Sequence, residues 1–386
     1  MNLEDYFSPL PDSFAIKKEV WQSSQIGSLI SIHCENYFPD ISNCKIAIFS
    51  VPEFEGSQNS ESETKYQIRE EFFELHNFDF PNLADLGIMK ISSSRKQTFH
   101  ELENICTELI KINVLPIILG GGNDISYAVY KSYVSLNKFI TFTSIDSKFD
   151  LGLKKDYLSS DSYLSKIISH SPSFLFQFVN IGYQTYYNSP LAISMLNDMN
   201  FEAVRLGTIQ ETLETAEPIL RNTDFLSFDI SAISSAFASA NKYSNPNGLN
   251  GPEACKLAFY AGISDKLSSF GLFEYNQNLD NTKLTAKLLS QIIWYFLHGY
   301  SKRRNELVPN IKNCVKYNVS LDNGKNEIIF YKSKLSARWW MGVPFFNKDK
   351  SKKETYFVAC SYLDYEISLK GEVPDRWIRT HYKLTS

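Results

Sequence analysis

Residues 114–124 read Val-Leu-Pro-Ile-Ile-Leu-Gly-Gly-Gly-Asn-Asp. An uncharged apolar run that passes straight into three glycines and a polar pair describes a buried strand ending in a tight turn. Residues 95–112, just before it, carry the spacing of an amphipathic helix. The unit is therefore helix, buried strand, turn.

The same unit recurs on both sides. Residues 45–51 (KIAIFSV) form an apolar run that stops at Pro52, and residues 66–78 are helical in period. Further strands are predicted at 139–145, ending at Asp146, and at 174–181, ending at Gly182. Others follow at 203–206, at 224–228 ending at Asp229, and at 267–273 ending at Glu274. Strands that are apolar along their whole length, alternating with helices, imply a parallel sheet covered on both faces. The predicted class is α/β, three layers deep. In such sheets ligands bind beyond the carboxyl ends of the strands. Asn123, Asp146, Asp229 and Glu274 all fall there and are expected to share one crevice.

The helix predicted at 282–299 closes this unit, which spans residues 45–300. Residues 1–44 read as an irregular lead-in with one helix. A polar stretch at 56–65 (GSQNSESETK) reads as a surface loop. Residues 301–386 change character: strand-like runs NEIIFYK and TYFVACS, a Lys-rich loop NKDKSKKE, and ARWWMGVPFF. They form a small C-terminal α+β extension. The Lys-rich loop is read as a solvated hairpin tip. The adjacent Trp339 and Trp340 either anchor an interface or pack against the main unit.

A net charge of −4 excludes a basic surface for nucleic acid or membrane as the main partner. The six cysteines are scattered without a C-x-x-C pair, so neither a disulfide scaffold nor a zinc ribbon is expected. The amino terminus lacks a signal-peptide pattern and no apolar run is long enough to span a bilayer. A cytoplasmic protein with free thiols is expected.

Three segments bear on chemistry: GGGND at 120–124, SIDSKFDLG at 144–152 and SFDISAISSAFASA at 227–240. GGGND lacks the G-K-[ST] of a phosphate-binding loop, and no G-x-S-x-G nucleophile elbow occurs. Asp146, Asp150 and Asp229 cluster at strand ends, and grouped carboxylates suit a hard or borderline divalent cation.

Here the chain resembles the ureohydrolases: arginase, agmatinase and formimidoylglutamase. That family carries G-G-[DG]-H-[DES], then D-A-H-x-D, then S-x-D-x-D-x-x-D-P, which hold two manganese ions and the hydroxide that attacks a guanidinium or amidine carbon. All three frames occur here in order, over residues 45–300. Asp85-Leu86-Gly87 resembles the family's D-x-G, Gly248-Leu249 with Glu253 its G-G-L-T-x-x-E, and Glu274 with Asp280 its E-x-x-P-x-x-D. GGGND-ISY is nearest the formimidoylglutamase branch. The resemblance implies an arginase-like fold and, in the family, trimers or hexamers.

The departures are as specific. Asn123 and Lys148 stand at the two histidine positions. Ser231 replaces the second aspartate of the third motif, and Ser234-Ser235 replaces its Asp-Pro. Of six ligands only Asp146, Asp150 and Asp229 remain, and none of the six histidines falls in a motif. An ammonium cannot ligate a cation, so Lys148 is expected among the three carboxylates as a counter-charge in place of an ion. Three acidic neighbours would raise its pKa, which opposes a base or Schiff-base role. The vestigial pocket is then Asn123, Asp146, Lys148, Asp150, Asp229, Ser231 and Glu274. It is expected to need no cofactor, with manganese or another divalent metal only if the site still works. The leading expectation is an inactive scaffold that binds a protein partner or a small cationic or amide ligand. The alternative is a formimidoylglutamase-like hydrolase of linear amidines with an altered or single-metal site.

Overall fold

The structure, a computed structural model, describes residues 1–59, 66–152, 157–321, 326–346 and 352–385. Ten strands form one sheet: β1 (Phe7–Ser8), β2 (Ser31–Ile32), β3 (Ile46–Ser50), β4 (Leu83–Met89), β5 (Leu115–Leu119), β6 (Ile140–Ile145), β7 (Leu175–Tyr183), β8 (Glu202–Arg205), β9 (Phe225–Asp229) and β10 (Ser269–Phe273). Their order is β1-β4-β3-β5-β10-β9-β6-β7-β8, with β2 also on β4. The pairings are parallel except β1 with β4.

The central strands β3, β5, β6, β9 and β10 are buried at every residue. This is why they read as unbroken apolar runs. Their side chains alternate between faces. Ile46 and Ile48 join one core cluster, Ala47 and Phe49 the other. Helices such as Arg95–Lys111 and Leu284–Tyr300 cover the two faces.

The lead-in departs from its reading as irregular. It supplies β1 and β2, which pair along the outer edge of β4. Phe14, Ile26 and Ile30 enter one cluster and Leu3 and Phe7 the other. Two-residue strands leave almost no periodic signal. β4 went unassigned because LADLGIM is broken by a buried aspartate and a glycine.

Residues 314–360 form a second sheet, antiparallel and four-stranded: β11 (Cys314–Leu321), β12 (Asn326–Ser333), β13 (Trp339–Phe346) and β14 (Lys353–Cys360). It has its own core around Val319, Phe330, Met341 and Val358. The tryptophans divide the work. Trp339 packs inside the extension against Tyr317 and Tyr365. Trp340 is 2% exposed and lies under the Arg221 guanidinium, 4.7 Å from its ring centre. Arg221 also donates to Cys360 O at 3.1 Å, and Asn222 bonds both backbone groups of Ala359. These contacts dock the extension at the amino ends of the main strands, away from Asn123, Asp146 and Asp229. Residues 347–351 of the Lys-rich loop lie outside the described residues, as do 60–65 of the polar stretch. Among the described residues no helix is long and apolar enough to cross a membrane.

Asn250 caps the helix Gly251–Gly262. Its side chain accepts from Glu253 N at 2.8 Å, and Glu253 Oε2 accepts from Asn250 N at 2.9 Å. Replacing Asn250 with alanine should cost about 1 kcal/mol in chemical denaturation, the usual value of such a cap.

Candidate functional site

β5, β10, β9 and β6 are consecutive in the sheet and parallel. Their carboxyl ends are therefore neighbours, and Asn123, Glu274, Asp229 and Asp146 meet there. The turn after β5 needs its glycines. Gly120 and Gly121 have φ of 81° and 82°. A β-carbon on Gly121 would sit 2.9 Å from Val51 O and 3.0 Å from Glu53 O.

Asn123 is fully buried and presents its amide nitrogen to the cluster. Nδ2 lies 3.3 Å from both Asp146 Oδ2 and Asp229 Oδ2, and 3.4 Å from Tyr163 OH. Its oxygen faces the other way and accepts from the Ser227 and Ser126 hydroxyls at 2.7 and 3.2 Å. The side chain thus offers protons, not a lone pair, to the space between the aspartates.

Burial raises the pKa of Asp146 from 3.8 to about 6, against the Asp150 hydrogen bond, the Lys148 amide and the Lys148 charge, which lower it. Burial, then repulsion from Asp146, holds Asp150 well above the carboxylate range, and the same two causes act on Asp229. The Asp150 and Asp146 side chains hydrogen-bond each other. Asp229 Oδ1 accepts from Ser231 N at 2.7 Å, and the Ser231 side chain hydrogen-bonds the same carboxyl. Asp150 itself sits at φ 52°, an unusual backbone state for a non-glycine residue.

Lys148 is not where the sequence placed it. Its amide donates to Asp146 Oδ1 at 2.9 Å, but its ammonium forms no ion pair within 4 Å of any described carboxylate. It lies 4.6 Å from the ring centre of Tyr243. Lys148 is half-buried, while the carboxyl groups of Asp146 and Asp229 are closed over. An ammonium reaching them would lose its water, whereas a ring face at the rim lets it stay partly hydrated. The Asn123 amide, not the lysine, stands between Asp146 and Asp229.

Glu274 is present but engaged. Fully buried at φ 68°, it accepts from Ser57 Oγ, Asn59 Nδ2 (2.6 Å), Asn123 N (2.8 Å) and Ser160 Oγ. It fastens the 53–59 loop and Ser160 over the strand ends. Asp280 accepts from Ala286 N at 2.8 Å at the start of the closing helix. Serines and asparagines in loops give no sequence signal, so Ser57, Asn59, Ser160, Tyr163 and Tyr243 were not anticipated.

Among the described residues no group of three or more His, Cys, Asp or Glu side chains is arranged to hold a metal ion. Beyond the three aspartates the donor set is poor for a pair of ions: Asn123 turns Nδ2 inward, Lys148 carries an ammonium, and the Ser231 hydroxyl is bonded to Asp229.

A family model described as "Arginase family" matches residues 54–299. The chain belongs to the arginase family. Formimidoylglutamase of Staphylococcus haemolyticus is 25% identical over 60% of this chain and 76% of its own length. Formimidoylglutamases of Staphylococcus aureus are 28% identical over 47% of this chain and 60% of their own length. Two solved structures share the fold. Trypanosoma cruzi formiminoglutamase with Mn2+ has a TM-score of 0.64 at 19% identity, over 72% of this chain and 99% of that one. Formimidoylglutamase of Bacillus subtilis has 0.62 at 18%, over 75% and 99%. The arginase-like fold and formimidoylglutamase-like character expected from the motifs are thus found. The second sheet lies beyond the matched segment.

Proposed function

We propose that this arginase-family chain does not carry out two-metal hydrolysis and serves as a binding or scaffolding protein on a ureohydrolase frame. One observation carries this reading. Lys148 and Ser231 occupy two positions that a second ion would require, and neither supplies a ligand: Lys148 turns its ammonium to Tyr243, and Ser231 is bonded to Asp229. Without paired ions there is no bridging hydroxide, and the closed cluster offers no substitute nucleophile. The family's oligomers make self-association a natural mode of assembly, and the Tyr243 ring with the Lys148 ammonium beside it suits a small amide group, since the lysine would repel a cation.

The alternative reading is a hydrolase of linear amidines, favoured by the formimidoylglutamase relatives and the three surviving aspartates. Metal analysis of protein purified with manganese, together with an assay for formamide, ammonia or urea released from formimidoylglutamate, separates the two. Bound manganese with turnover would establish the hydrolase and sink the scaffold reading. The converse test restores the ligands. Asn123→His, Lys148→His and Ser231→Asp together should confer manganese-dependent stabilisation that the parent lacks. If the triple variant melts identically with and without manganese, the site has been misplaced.

A further inference from the structure

A second cluster lies at the opposite end of the sheet and does not depend on the reading above. A cavity of about 50 Å3 separates the carboxyl-terminal helix Asp375–Thr385 from the amino ends of the main strands. It is lined by Gln177 and Glu202 from the main sheet, Tyr356 from β14, and Arg376, Arg379 and Lys383 from the helix.

The three cations are not equally matched. Arg376 pairs with Asp364 at 3.2 Å. Arg379 and Lys383 have no carboxylate within 4 Å among the described residues. Their partners are neutral: Arg379 donates to Phe201 O, and Lys383 donates to Phe176 O at 3.0 Å and to Gln177 Oε1. The Lys383 ammonium also sits 4.3 Å from the Phe201 ring centre. Glu202 lines the cavity without closing an ion pair, and its attraction is outweighed. Burial first, and Arg379 second, push the Lys383 ammonium down to about 7. Arg379, and Lys383 when protonated, thus hold positive charge against neutral acceptors in a partly dehydrated space, which an incoming anion would stabilise.

We propose that this cavity binds a small oxyanion, a phosphate-sized head group held between Arg379 and Lys383. Size and charge both point there. About 50 Å3 has room for roughly three or four waters, hence for one head group and not a whole nucleotide. A guanidinium beside an ammonium matches an oxyanion through charge-assisted hydrogen bonds. The helix Asp375–Thr385 has no buried residue of its own, so an anion bridging it to the main sheet would clamp the extension in place.

The test uses the full chain. Inorganic phosphate, glycerol phosphate and acetate are titrated by calorimetry and thermal melts, with chloride at matched ionic strength as the reference. Phosphate is expected to stabilise at millimolar concentration, beyond chloride. Arg379→Gln and Lys383→Gln should each weaken binding about tenfold, while Lys383→Arg retains it. Lys138→Gln, in an adjoining cleft where Lys138 already pairs with Asp224, should leave binding unchanged. Tighter binding of glycerol phosphate than of the free ion would identify a phosphorylated small molecule as the ligand class, and acetate alone a carboxylate. No oxyanion effect beyond chloride would overturn the proposal. So would phosphate binding that survives both glutamine variants, or that disappears in Lys138→Gln. If Lys383→Gln does not fold, Arg379→Gln against Lys383→Arg still decides.

Discussion

Replacing Arg69 with methionine should destabilise the fold by about 3–5 kcal/mol, much of the margin of an ordinary domain. Arg69, on the helix Gln67–Phe73, is 2% exposed and Asp85, in β4, is 0% exposed. Nε and Nη2 reach the two Asp85 oxygens at 2.7 and 3.1 Å. The remaining donors bond Ser50 Oγ at 2.5 Å and Gly87 O at 2.9 Å. One guanidinium thus joins a helix to the end of β3 and the middle of β4. Methionine fills similar volume but leaves the Asp85 charge alone in the core, where among the described residues only Gly87 N still bonds it. The cost comes from that orphaned charge more than from the lost attraction. Adding Asp85→Asn to Arg69→Met should therefore recover part of the loss. Urea denaturation of the two single variants and the double gives the coupling directly. A loss below about 1 kcal/mol for Arg69→Met would mean that water or a shifted side chain already compensates Asp85.

Asp85-Leu86-Gly87 shows how far sequence goes here. Its likeness to a family motif was visible, but the reason for the aspartate was not, because its partner lies in another element with no periodic mark. The same division runs through the site. Runs such as VLPIIL and the polar residue after each gave the central sheet and the convergence of Asn123, Asp146, Asp229 and Glu274, since strand burial and strand ends are local properties. Side-chain direction was not local. Lys148 faces Tyr243 from a loop far along the chain, and Asn123 turns its nitrogen inward because Ser126 and Ser227 hold its oxygen. Glu274 was legible as a pocket residue at a strand end, but not its fastening by Ser57, Asn59 and Ser160. β1 and β2 were missed because a two-residue strand takes its conformation from β4, not from its own sequence.

The second large effect concerns the aspartates themselves. Asp150→Asn should stabilise the protein at pH 8, by a few degrees in melting temperature, and change little at pH 5. The folded chain binds protons at these carboxyls more tightly than the unfolded chain, where an aspartate has its ordinary value of 3.8. Their contribution is fully present below that value and is lost as pH rises through the folded value, about 6 for Asp146 and well above the ordinary carboxylate range for its neighbours. For Asp146 alone the shift from 3.8 to about 6 corresponds to roughly 3 kcal/mol once it is ionised. An asparagine at 150 still offers a proton to Asp146 but cannot ionise, so it removes one charge from the group without breaking the hydrogen bond. Lys383 works in the other direction. Its lowered value adds stability as pH rises above about 7, so the parent's own profile mixes the two effects. The difference between parent and variant cancels that term, because Lys383 is unchanged in both. A gain at pH 8 that fades by pH 5 is the signature of carboxylates with no cation among them. Destabilisation by Asp150→Asn at pH 8 would mean the opposite: that the purified protein carries an ion which the aspartate helps to hold, and that the loss of two-metal chemistry has been inferred too soon.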